Sequence, residues 1–315
     1  MGKSHWVPLG LAVAFAAAGF AAKSSAAGPP RLLDVQDVPL PGVERRIDHM
    51  AVDPAGQRLF VSALGNHSLE VVDVAAGKRI TSVSSLDEPQ GVAYVPAVHA
   101  IVVATRGGTV TALDDRTYRP IATFPSMDDA DNVRLDASAG RVYVGHGEGA
   151  LAVIDPTTMK VTADIPLPGH PESFRLEEAG PRIYVNVPRT REVVVVDRVS
   201  RSTVAHFPLG AFAANYPMSL DEGGHRLFVG VRQPARLLVL DTVSGKQLAA
   251  VPCAGDTDDL FFDARRQQVY VIGGEGYVDV FDASPAGTYA RITRLATRTG
   301  ARTGLYSPEL DRLYV

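Results

Sequence analysis

The stretch Arg141-Val-Tyr-Val-Gly-His-Gly-Glu-Gly-Ala-Leu-Ala-Val-Ile-Asp-Pro-Thr-Thr-Met-Lys-Val-Thr-Ala-Asp-Ile165 decides the fold. It opens with the β-prone triplet Val142-Tyr-Val144. A second apolar run ends on Asp155, and the Pro and Thr that follow favour a tight turn, since such an Asp bonds the backbone two residues on. A third, more polar segment runs from Lys160 to Ile165.

The same pattern recurs along the chain. Triplets equivalent to Val142-Tyr-Val144 stand at Leu59-Phe-Val61, Ile101-Val-Val103, Ile183-Tyr-Val185, Leu227-Phe-Val229, Val269-Tyr-Val271 and Leu313-Tyr-Val315, spaced 41 to 44 residues apart. The second segment ends in Asp73, Asp114, Asp155, Asp197, Asp241 and Asp282, and an apolar segment such as Leu260-Phe-Phe262 precedes each triplet. Four short antiparallel strands per unit, without helical periodicity, cannot bury both their faces alone. Stacking units around an axis does so, which predicts an all-β propeller.

Closure predicts the blade number. Asp37-Val-Pro-Leu-Pro-Gly42 matches Asp164-Ile-Pro-Leu-Pro-Gly169, the end of the third unit's outer strand. Residues 31–40 are therefore expected to be an outermost strand that completes the last, C-terminal unit, giving a seven-bladed ring without a free edge. That last unit stops at Val315, about 12 residues short of the others, so a truncated final blade is expected.

The array resembles the YVTN-repeat, YncE-like β-propeller proteins. The resemblance rests on the aromatic-Val triplets, the Val-x-Asp strand ends, and Gly77-Lys78 and Gly245-Lys246 after two of them. It implies a seven-bladed propeller of the kind found in exported or surface proteins, and no particular activity.

Composition narrows the rest. Residues 1–27 have a short basic start, a 16-residue apolar run from Val7 to Ala22, and small residues at Ser24-Ser-Ala-Ala27. This is the layout of a signal peptide, and the run is shorter than the roughly 20 residues of a spanning helix. The mature chain, residues 28–315, is thus expected to be one periplasmic or extracellular domain without a membrane span. Losing Lys3 and Lys23 and no acid moves the net charge from −4 to −6, which argues against nucleic acid. The lone Cys253 allows no internal disulfide and reads as a buried, inert thiol.

Function is sought where the repeats disagree. Twelve residues before each triplet's centre stand Asp48, Gln90, Asp131, Glu172, Tyr216, Asp258 and Arg302. The next position holds His49, Gly91, Asn132, Ser173, Pro217, Asp259 and Thr303. Both rings fall where the innermost strands begin, at one mouth of the central channel. Loops joining second and third strands add His146, Asn186 and Arg232 on the same face. Converging carboxylates suit a hard divalent cation, calcium or magnesium, with Asp48, His49, Asp131, Glu172 and Asp258 as its expected ligands. Two functions fit such a funnel. One is a binding or scaffold protein offering the mouth to a small ligand or a protein partner. The other is a metal-dependent lactonase or lyase whose bound water or His49 acts as base.

Overall fold

A computed structural model describes residue 32 and residues 36–315. The expected signal segment, residues 1–27, lies outside the described residues. From residue 36 onward the chain is built of short antiparallel strands, with two single-turn 3₁₀ segments, Leu64–Asn66 and Pro96–Val98. Among the described residues no helix is long and apolar enough to cross a membrane.

The strands form six four-stranded sheets, each in simple sequential order: residues 50–84, 89–125, 133–166, 174–208, 213–252 and 257–296. The innermost strand of each blade neighbours that of the next. The apolar faces pack blade on blade: Val102, Val110 and Phe124 of the second close on Val133, Val142 and Val144 of the third. In the first blade's outermost strand, Lys78–Ser84, side chains alternate between half-buried and exposed, as expected for the rim of a stacked array. The predicted turns form as read from the sequence: Asp73 Oδ1 accepts from the N–H groups of Ala75 and Ala76 at 3.0 and 2.8 Å. Cys253 is a buried free thiol, and burial pushes its pKa up to about 12.

The seven-bladed expectation needs correcting, because six blades are complete. Between the sixth and the first lies a two-stranded sheet, Leu305–Ser307 paired with Arg312–Tyr314. The expected N-terminal outer strand is corrected with it. Its residues 31 and 33–35 lie outside the described residues, and residues 36–40 form no strand. An outermost strand pairs with a third strand, and this sheet has two. Val38 and Leu40 instead pack by side chain with Leu59, Val61, Leu305, Leu310 and Tyr314. The same seam is tied by Thr303 Oγ1 donating to the Ile47 carbonyl at 3.4 Å and by Arg312 Nη1 donating to that of Val74 at 3.0 Å.

Candidate functional site at the channel mouth

The residues that differ between repeats meet where the innermost strands begin. They line a cavity of about 270 Å³, whose walls include Gln90, Asp131, Glu172, Tyr216, Asp258 and Arg302. His49, Asn132 and Ser173 of the next ring line it too, as does Arg232, which lies in the strand Arg226–Gln233 and not in the expected loop. Gly91 fills its place in that ring for a packing reason, since an added Cβ would overlap the Asp131 carbonyl oxygen.

His49 is the centre of the arrangement. It is only 8% exposed, with Nδ1 3.1 Å from Asp259 Oδ2 and Nε2 3.4 Å from Asp131 Oδ1. Asp48 Oδ1 lies 4.0 Å from Nε2. Burial alone would lower the imidazole's pKa. The charges and hydrogen bonds of Asp259 and Asp131, with the charge of Asp48, outweigh it and hold the ring well above the ordinary histidine value. The raised pKa favours the protonated ring, whose Nδ1 faces Asp259 while Nε2 faces both Asp131 Oδ1 and, at 3.4 Å, the Asn132 amide nitrogen.

The carboxylates respond differently to one crowded place. Asp48 is 1% exposed, and burial first, with the Asp131 and Asp258 charges adding, pushes it up to about 6 against the pull of His49 and Arg46. Glu172 is raised well above its usual range by burial and by Asp131 and Asp258. Asp258 is raised by burial, although Arg232 Nη2 donates to it at 2.6 Å. Asp131 ends below its usual value, because His49 overcomes the burial that would raise it. Asp131 Oδ1 faces His49 Nε2 at 3.4 Å, and Asp48 Oδ2 faces Arg46 Nη2 at 3.0 Å.

Arginines interleave with these acids. Arg302 Nη1 reaches both oxygens of Asp256 at 2.9 and 3.0 Å, and its Nε lies 3.5 Å from Asp258. Arg46 lies 3.0 Å from Asp48 and 3.7 Å from Asp258. Arg232 stacks on Tyr216 with its guanidinium carbon 4.0 Å from the ring centre.

This changes the expected chemistry. Among the described residues no three His, Cys, Asp or Glu side chains are grouped to hold a metal ion. The expected cation ligands Asp48, His49, Asp131, Glu172 and Asp258 do come close to one another. However, Asp259 occupies His49 Nδ1, and arginines engage Asp48 and Asp258. The raised imidazole pKa disfavours the expected His49 base.

Several predicted residues lie off the cavity wall. Asp48 and Asp259 stand behind His49 and act on it. His146 turns aside to Asp164, its Nε2 3.0 Å from Oδ1. Asn186 is fully buried and donates to the carbonyls of Tyr216 and Pro217 at 2.9 and 3.2 Å, so it fastens two blades together. Three lining residues escaped the sequence reading as site residues: Arg46, Arg106 and His170. They come from loops between strands, where the repeat gives no register. Only their charge, close to the ring positions in sequence, signals them.

Comparison with known proteins adds the fold and nothing finer. No family model matches the chain, and no curated protein matches it in sequence. Among solved structures it is similar to the Kuenenia stuttgartiensis hydrazine synthase. The TM-score is 0.73 at 17% identity, covering 83% of this chain and 89% of that one. The chain is a β-propeller.

Proposed function

We propose that this chain is an exported propeller protein, of the YVTN-repeat kind its repeats resemble, that binds a small polar molecule at the channel mouth. In this reading the two-stranded sheet is the start of a seventh blade. Export and a periplasmic or extracellular location rest on residues 1–27, and the acidic mature chain disfavours nucleic acid as a partner. One observation carries the binding function. Glu172 lines the cavity and has no side-chain partner among the described residues, and burial with the Asp131 and Asp258 charges raises its pKa well above the usual range, favouring the neutral form. A neutral carboxyl beside Tyr216 can both donate and accept, which suits hydroxyl, amide or carbonyl groups.

Size limits the ligand. At about 30 Å³ per water, the cavity holds roughly nine waters, so a polar molecule of about ten non-hydrogen atoms fits. The charges of the wall are already matched by neighbours, which favours a neutral or zwitterionic molecule over a strongly charged one.

The test is thermal unfolding of the full chain against small polyols, monosaccharides, amino acids and amides. The expected result is a saturable rise in midpoint with one class, weakened about tenfold in Glu172→Ala and in Tyr216→Ala, the loss of roughly one hydrogen bond to a buried group. A ligand whose affinity is the same in both variants would place binding elsewhere.

A further inference from the structure

Three residues beyond the first ring, the innermost strands carry Ala51, Ala93, Arg134, Arg175, Ser219, Phe261 and Leu305. Five of the seven are small or apolar, and the two arginines stand on adjacent blades. Six of them line a second chamber of about 230 Å³ deeper in the channel, with Val52, Val92 and Leu135 among its apolar walls. His49 and Asp259 form its boundary with the mouth.

The charges here are unmatched. Arg134 donates from Nη1 to the Val133 carbonyl at 2.9 Å and from Nη2 to Asn132 Oδ1 at 2.7 Å. Both partners are neutral, and its buried Nε has no partner. No hydrogen bond contributes to the state of Arg175; burial, then the neighbouring Arg134 charge, pushes it down to about 9, so it is still a cation at neutral pH. Neither guanidinium has a carboxylate within 4.0 Å among the described residues. Asp259, the one carboxylate on this wall, is already held by His49 at 3.1 Å and by the Gly304 N–H at 3.0 Å. Two half-buried cations sharing a chamber whose one carboxylate already serves His49 are costly, and an anion between them offsets that cost.

We propose that this inner chamber is a binding site for a small organic anion, a monocarboxylate whose carboxylate bridges Arg134 and Arg175 and whose short apolar body lies against Val52, Val92 and Leu135. Planar guanidinium groups match a carboxylate in two-point geometry. The apolar wall gives an organic body something an inorganic ion cannot use. The site is independent of the mouth reading, because Glu172 and Tyr216 do not line it.

The experiment is thermal unfolding of the full chain at pH 7 and fixed ionic strength, titrated with butyrate and benzoate, with phosphate and chloride as inorganic comparators. A saturable rise of about 5 °C is expected with the organic anions. Arg175→Gln should weaken it by about tenfold or more, and Arg134→Gln likewise. Arg119→Gln, which removes an exposed positive charge elsewhere, should leave it intact. Arg175→Gln is decisive even if Arg134→Gln fails to fold, since the Arg175 side chain makes no hydrogen bond among the described residues. An undiminished response in Arg175→Gln, or no response to either organic anion, overturns the site. A response to phosphate or chloride as large as that to butyrate overturns its organic character.

Discussion

The two ends of the innermost strands use the same residue types to opposite purposes. Where these strands finish, Asp53, Asp136, Asp221 and Asp263 each accept a backbone N–H within the turn and pair with one arginine. Their partners are Arg58 at 2.7 Å, Arg198 at 2.8 Å, Arg226 at 2.7 Å and Arg266 at 2.9 Å. The device recurs in the first, third, fifth and sixth blades and leaves each of these carboxylates satisfied. Where the strands begin, acids and arginines share partners without a repeated pattern, and no two blades offer the same set. Residue type alone does not separate a structural charge from a functional one. Position within the repeat does.

Removing a carboxylate from the repeated end should cost the most. Asp53→Ala removes the nearest carboxylate from the largely buried Arg58, leaving it Asp115 at 3.4 Å, and is expected to destabilise the fold by about 2 kcal/mol, a fall in unfolding midpoint of roughly 4–8 °C. A mouth substitution such as Arg46→Ala, at a side chain 41% exposed, should cost under about 1 kcal/mol. Equal losses would erase the distinction.

A smaller effect, of opposite sign, is expected at Asp48. Its folded pKa of about 6 lies above the unfolded value near 4. The stability associated with it is present below the unfolded value and is lost as pH rises through about 6. Asp48→Asn removes that dependence. Relative to the parent it should gain about 1–2 kcal/mol between pH 4 and pH 8, the lost Arg46 pair set against it. A constant difference across that range would mean the carboxyl is not strained.

The smallest effect belongs to Glu172→Gln, which replaces a carboxyl of strongly raised pKa by its neutral isostere. At pH 6 stability should change by less than about 0.5 kcal/mol. Glu172 is raised, so its contribution falls away as pH rises through its folded value, and the variant should then outlast the parent in alkali. Matched unfolding curves at pH 6 and pH 9 read the difference.

These comparisons also show what the sequence could carry. The triplets and Val-x-Asp ends were legible because packing and turns impose them on each blade. Counting back 12 residues found Gln90, Asp131, Glu172, Tyr216, Asp258 and Arg302 on one cavity, since register is fixed by the pleat. The sign of the site was not legible. Whether His49 is a base or an imidazolium depends on Asp259, 210 residues away, reaching its Nδ1. His146 and Asn186 share the face but turn toward neighbouring strands, a matter of rotamer that register does not set. Arg134 and Arg175 were visible in the sequence, yet nothing in it said they would lack carboxylate partners.

Asp259 belongs both to the channel mouth and to the seam with the two-stranded sheet. One of its oxygens receives both the His49 imidazole of the first blade and the Gly304 N–H of the two-stranded sheet, while its own backbone belongs to the sixth blade. It is a clasp as well as a counter-ion. Whatever discharges that single oxygen loosens the ring at its join and releases the imidazole at the same moment, so the propeller's mechanical integrity and the electrical state of its mouth rise and fall together.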